Sequence, residues 1–241
     1  HLEAQNRSLL RQATTILDPF CPPETENALR KTLDALTESG FTTFIANNIA
    51  HIAMLKGKKG VNVIAGPYLY TFNRWAVSWL ENQNIGAFVM PYENSRKNLL
   101  ATFPASVRSR ILVPVFAYPA LFRLRFKLPP SYDFTYFTDK EGATFKVNST
   151  PDGSFVMPET AFSVTDKCDL LYSDGIKRIL LDFSKTKVTK PELREVMNSL
   201  IKKIPLRGAY RFNWKEGFYS PKRVEEQKSR GAEARSRTKK K

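Results

Sequence analysis

Apolar residues recur along this chain with two alternating periods, and the alternation predicts a series of strand-then-helix modules. Leu29, Leu33 and Leu36 fall at helical spacing and Gly40 follows where a helix commonly ends, so Thr25 to Ser39 is predicted as a helix. Thr42-Thr43-Phe44-Ile45-Ala46 then reads as a strand running into the polar pair Asn47-Asn48. Ile49, Ile52, Ala53 and Leu55 predict a short helix, closed by Gly57 and Gly60. The next strand is Val61 to Gly66, after which Asn73 can cap a helix with Trp75 and Trp79 on one face. Gly86 to Met90 supplies a third strand, and Asn94 or Ser95 can cap a helix carrying Leu99 and Leu100. Ile111 to Ala117 is a fourth strand, where Pro114 is tolerable at a strand end or bulge.

Beyond residue 120 the pattern changes. Asp133 to Thr138 and Ala143 to Asn148 flank Asp139-Lys140-Glu141-Gly142 as the arms of a β-hairpin would, and Pro151-Asp152-Gly153 makes another turn. Helical character returns from Ser163 to Tyr172, and Ile176 to Phe183 reads as a buried strand. Thr189-Lys190-Pro191-Glu192 has the spacing of a capping box and starts a helix through about Lys203. Strands separated mostly by helices predict parallel β/α units, hence an α/β fold. About five such strands are too few to close an eight-stranded barrel, so a barrel would need further strands upstream; an open, doubly wound sheet is the alternative.

A chain of 241 residues with 42% hydrophobic content can bury a substantial core, and its longest apolar runs are too short to cross a membrane. The first residues, His1 to Gln5, show no secretory pattern and read as a cut edge. Two cysteines, Cys21 and Cys168, without C-x-x-C spacing argue against a disulfide framework or a self-contained zinc site, and fit a cytoplasmic location. A formal net charge of +15 changes the picture more, because clustered Lys and Arg favour an anionic partner such as RNA. Part of that excess lies between Lys222 and Lys241, where apolar residues are few. The organisation expected is a connecting segment over 1–24, a β/α domain over 25–214 with the hairpin near 133–148, and a basic, disordered tail over 215–241.

From Phe41 to Phe103 the order Phe44-Ile45-Ala46-Asn47-Asn48, Gly66-Pro67-Tyr68-Leu69-Tyr70-Thr71-Phe72-Asn73 and Gly86-Ala87-Phe88-Val89-Met90-Pro91-Tyr92-Glu93 resembles the second half of the barrel of peptidase family U-32, the collagenase-like peptidases. Val115 to Arg125, Phe137 to Gly142 and Gly175 to Asp182 continue the resemblance, which covers most of residues 25 to 204. It implies a partial β/α (TIM-type) barrel with an inserted hairpin, the C-terminal half of a longer barrel protein whose N-terminal portion completes the fold. Two activities are implied, either proteolysis, including collagen degradation, or hydroxylation of RNA bases or quinone precursors. The family's turn after the third strand resembles Ser-Pro-Glu, whereas Met90 stands here at the serine place, Tyr92 intervenes and Glu93 supplies the carboxylate. Several hydroxylating members look to carry an iron-sulfur cluster on four cysteines in this half of the fold. No cysteine stands around Arg123-Leu124-Arg125-Phe126 or Asp133-Phe134-Thr135, which argues against a complete cluster in this chain.

A barrel gathers its chemistry at the C-terminal ends of its strands, where this sequence places Asn47, Asn48, Asn73, Glu93, Arg123, Arg125 and Asp182. Glu93 and Asp182 are the catalytic candidates, as a carboxylate pair for acid/base work or as ion-pair partners of arginine. Asn48 and Asn73 are binding candidates that can equally be helix caps. Arg123 and Arg125 would share one face of an extended segment, suited to phosphate or carboxylate, or simply to solvent. Tyr68, Tyr70 and Phe72 alternate likewise, as a stacking surface for a base or as core. Conventional peptidase machinery is thin, because His1 and His51 are the only histidines and His51 sits in an apolar helical setting that suits a packed or surface histidine better than a general base. Cys168, on an amphipathic stretch, reads as a buried, inert thiol. The readings in play are an RNA-directed enzyme of U-32 type, a peptidase using carboxylates, and a non-catalytic RNA-binding or scaffold module.

Overall fold

The structure is a computed structural model that describes residues 9, 10, 12–124, 126, 136–138, 143–150 and 153–209. Arg125, the hairpin tip from Asp139 to Gly142 and the basic tail over 215–241 lie outside the described residues. The chain divides into two compact units, one of His1–Asn94, Asn98–Val113 and Asp174–Arg178, the other of Ser95–Lys97, Pro114–Ser173 and Ile179–Lys241.

In the first unit the predicted alternation is realised. Strand β1 (Thr14–Ile16) is followed by α1 (Glu26–Glu38), β2 (Thr43–Ala46), α2 (Ile49–Leu55), β3 (Asn62–Ala65), α3 (Arg74–Asn82), β4 (Phe88–Val89), α4 (Arg96–Thr102) and β5 (Ile111–Ala117). The strands pair in parallel in chain order, with Phe44 opposite both Thr15 and Val63, Ala65 opposite Phe88, and Phe88 opposite Ile111. Parallel pairing places the C-terminal ends of β1 to β4 along one edge of the sheet, and each crossover is a short helix, as such pairing requires. The segment read as a mere connection before residue 25 therefore contributes a strand. Three residues with alternating exposure gave too short a run to stand out from sequence.

Amphipathicity explains why α1 packs where it does. Leu33 is fully buried beside Leu17, Phe44, Met54 and Leu55, with Leu29 and Leu36 at the margin, while Arg30 pairs with Glu26 on the outer face. Gly40 takes a positive φ of 105°, which lets the chain leave the helix and enter β2 without a Cβ clash. Pro114 falls where one edge of β5 changes neighbour: Leu112 on that edge accepts from the Met90 N–H beside β4 and Phe116 from the Asp182 N–H, while β10 (Phe162–Ser163) pairs along the other edge through Phe116 and Ala117.

The second unit contains the end of β5 and a four-stranded antiparallel sheet in the order β6 (Phe122–Leu124), β9 (Gly153–Pro158), β8 (Thr144–Thr150), β7 (Tyr136–Thr138). The predicted hairpin is the β7–β8 pair, with Phe137 opposite Phe145, and two further strands enlarge it. The stretch predicted as helical from Ser163 is divided into the end of β10, a single 3-10 turn and the short helix α5 (Cys168–Ser173). Strand β11 (Arg178–Leu181) is shorter than predicted and runs from exposed to half-buried, against the buried strand expected there. Helix α6 (Lys190–Lys202) starts with the predicted capping box, in which Thr189 and Glu192 bond each other's backbone N–H. Its buried face carries Val196, which joins Phe116 and Ala161 in a small core with Leu181 and Phe183 at its edge. The chain is thus a mixed α/β structure, and among the described residues no helix is long and apolar enough to cross a membrane.

Candidate functional site

The parallel edge of the first unit collects most of the polar and aromatic residues singled out from sequence, and hydrogen bonding separates structural roles from available ones. Asn47, directly after β2, is buried; its amide Nδ2 donates to the Leu17 carbonyl at 2.8 Å, and its Oδ1 accepts from the Tyr68 N–H at 3.5 Å. One side chain thereby ties together the exits of β1, β2 and β3. Its backbone N–H donates to His51 Nδ1 at 3.3 Å. A Cβ placed on Gly66 would lie 1.9 Å from Asn47 Oδ1, so glycine must follow β3 for the clasp to form.

Asn48 and Asn73 are helix caps. Asn48 accepts from the Ala50 N–H at 3.0 Å and donates to the Pro19 carbonyl at 3.1 Å, and Asn73 accepts from the Ala76 N–H at 2.9 Å. His51 is fully buried, and its bond from Asn47 N–H requires a neutral ring with its proton on Nε2, which has no hydrogen-bond partner among the described residues. Burial lowers its pKa, with the charge of Asp18 acting in the opposite sense.

Aromatic groups follow β3. Tyr68 meets Tyr70 edge to face at 6.5 Å, and Tyr70 stacks on Phe72 at 5.9 Å with rings 17° from parallel. Tyr70 is 51% exposed and sits in the left-handed region at φ 49°, ψ 57°, a strained conformation for a bulky residue. Helix α4 braces this turn from behind, because Asn98 and Thr102 both donate to the Phe72 carbonyl, at 3.0 and 3.1 Å. Burial raises the Tyr70 phenol above its ordinary pKa, and the negative charge of Glu93, two residues past Pro91 at the β4 exit, raises it further. Tyr70 is therefore a protonated O–H donor that feels the charge of the Glu93 carboxylate. Thr71, between the two stacked rings, is fully buried with its hydroxyl unpartnered among the described residues.

The remaining candidates belong to the second unit. Asp182 follows β11; its N–H donates to the Phe116 carbonyl at 2.8 Å, and its carboxylate accepts from the Ser184 N–H at 2.9 Å. Arg123 is exposed on β6, opposite Phe155. Glu93 and Asp182 thus stand in different units, so the rim of the first unit is described with Glu93 as its carboxylate.

Cys168 is buried and its thiol is pushed up to about 11, chiefly by burial, while burial also raises Cys21. Two such thiols do not fit the four-thiolate donor set of an iron-sulfur cluster. Among the described residues, no group of three or more His, Cys, Asp or Glu could hold a metal ion. No family model, curated protein or solved structure matches the chain.

The braced, strained turn around Tyr70 and the clasp of Asn47 are what sequence reasoning missed. Tyrosine in a left-handed conformation leaves no mark in a hydrophobic pattern. The Gly66-to-Asn47 approach was partly signalled, since glycine at a strand exit often marks close backbone or side-chain approach.

Proposed function

We propose that this chain is part of a U-32-type β/α-barrel protein that acts on RNA, with the strand-exit rim of its first unit as the place where a base is held. The observation that carries the reading is the exposed Tyr70 ring, held in a strained backbone conformation and stacked on Phe72, with the charge of Glu93 acting on its phenol. A flat, half-exposed ring offers a stacking face to any base, at about 1 to 3 kcal/mol per base. On this reading a protonated phenol and a carboxylate supply one donor and one acceptor for the edge of that base, and Glu93 is the acid/base candidate. The net charge of +15 favours a phosphodiester chain over collagen. Asn47, Asn48 and Asn73 hold the rim in shape, through backbone bonds and caps, and Tyr68 meets Tyr70 edge to face.

Photocrosslinking of the full chain to a 4-thiouridine-containing single-stranded RNA, followed by peptide mapping, tests this reading. The adduct is expected on residues between Gly66 and Asn73, and Glu93→Gln should retain RNA binding while removing turnover. Peptide cleavage that Glu93→Gln abolishes, with no adduct near Tyr70, would replace the reading with proteolysis.

A further inference from the structure

The four-stranded sheet of the second unit carries a surface that the rim does not use. Strand register fixes which residues share a face, because directly paired residues in an antiparallel sheet point the same way and alternate residues return to it. Arg123 of β6 pairs with Phe155 of β9, which pairs with Asn148 of β8. One step along, Met157 of β9 pairs with Lys146 of β8, which pairs with Tyr136 of β7. These six residues therefore occupy one face in two adjacent rows. The opposite face carries Phe122, Val156, Val147, Phe145 and Phe137, an apolar set.

Charge, not exposure, distinguishes the first face, since Phe122 (63%) and Phe137 (36%) of the opposite face are exposed as well. Arg123 is exposed, Tyr136 is 51% exposed, Lys146 and Phe155 are half-buried, and Met157 is buried among them. Asn148 donates to the Met157 sulfur at 2.9 Å, which fixes its amide on this face. Lys185, from the segment after β11, places its ammonium 5.4 Å from the centre of the Phe155 ring and adds a third cation. The four strands contain no Asp or Glu; in sequence, Asp139 directly follows β7, Asp152 directly precedes β9 and Glu159 directly follows it. A face with cations spread over its strands, one exposed ring and no carboxylate within them complements a chain in which every phosphate is accompanied by a flat base, more fully than an acidic peptide, whose carboxylates need no ring beside them.

We propose that this face binds single-stranded nucleic acid, with Arg123, Lys146 and Lys185 contacting phosphates and Tyr136 stacking a base. The assignment stands on the sheet alone and does not depend on the reading of the rim.

Fluorescence anisotropy of a labelled single-stranded 12-mer on the full chain tests it. Arg123→Ala/Lys146→Ala/Lys185→Ala is expected to reduce the slope of log K against log salt by about 2, three phosphates at roughly 0.7 each. Tyr136→Leu should weaken binding about tenfold with the slope unchanged, and Tyr136→Phe should restore it. Affinity and slope equal to wild type in both the triple variant and Tyr136→Leu would overturn the proposal. So would an acidic peptide that binds as tightly as the 12-mer and ignores Tyr136→Leu. Tyr70→Ala serves as the separate arm: loss there with intact binding in the sheet variants removes the sheet proposal and leaves the rim, and the reverse result does the opposite.

Discussion

Two buried residues carry the clearest consequences at the scale of single side chains. Gly66 has no space for a Cβ, which would meet Asn47 Oδ1 at 1.9 Å and the Ala46 carbonyl at 2.9 Å. Gly66→Ala must therefore push Asn47 off the Leu17 carbonyl and leave a buried amide unpaired, at about 2 to 4 kcal/mol, measurable by urea unfolding. His51 supplies a pH dependence. Its folded pKa lies below the ordinary 6.5 because burial favours the neutral ring, so its contribution is complete above about pH 6.5 and is lost as pH falls from there through the folded pKa. Protonation would also put a second N–H on Nδ1, facing the Asn47 N–H that it now accepts. Urea midpoints at pH 7.5 and 5.0 should show the loss in wild type and a smaller one in His51→Asn, which keeps an acceptor and cannot charge. Sequence indicated that His51 was a packed or surface residue rather than a catalytic one, since its neighbours are Ala50, Ile52 and Ala53. It did not reveal the bond to Asn47, because proximity of a side chain and a strand exit is set by tertiary packing rather than by spacing along the chain.

At the scale of elements, the helices read best and the short strands worst. Helix α1 shows three leucines at helical spacing with a glycine stop, and α6 shows a capping box, so both appear within a residue or two of their predicted limits. Strands β1 and β6 have three residues each, too few for a period to declare itself, β4 was read from its flanks as part of Gly86 to Met90, and β9 shows no alternation because all but one of its positions are buried. Caps give a direct check on the roles assigned to asparagine. Asn73→Ala should destabilise the chain by about 1 kcal/mol through loss of the Ala76 bond, and leave RNA affinity unchanged. Leu33→Ala, at the centre of the α1 contact, should cost about 2 to 5 kcal/mol in the same assay.

At the scale of the whole molecule, charge and shape divide the work. On the proposed reading the excess of basic residues would attract a polyanion without choosing where it sits, whereas the Tyr70 turn would offer it a defined stacking face on a braced scaffold. The α/β class and the parallel modules were legible because each strand is long enough, or flanked clearly enough, to alternate with a helix. The partnership of Tyr70 with Phe72 and Glu93 was only half legible: alternation put the rings on one side, but the left-handed turn that exposes Tyr70 is a product of the fold. Equilibrium binding of a single-stranded RNA to wild type and to Tyr70→Ala, between 50 and 200 mM salt, measures the claim that this ring holds a base. The account predicts affinity lower by about tenfold at every salt concentration with an unchanged salt slope, because stacking is lost and no charge is. Identical affinities across the whole range would contradict it.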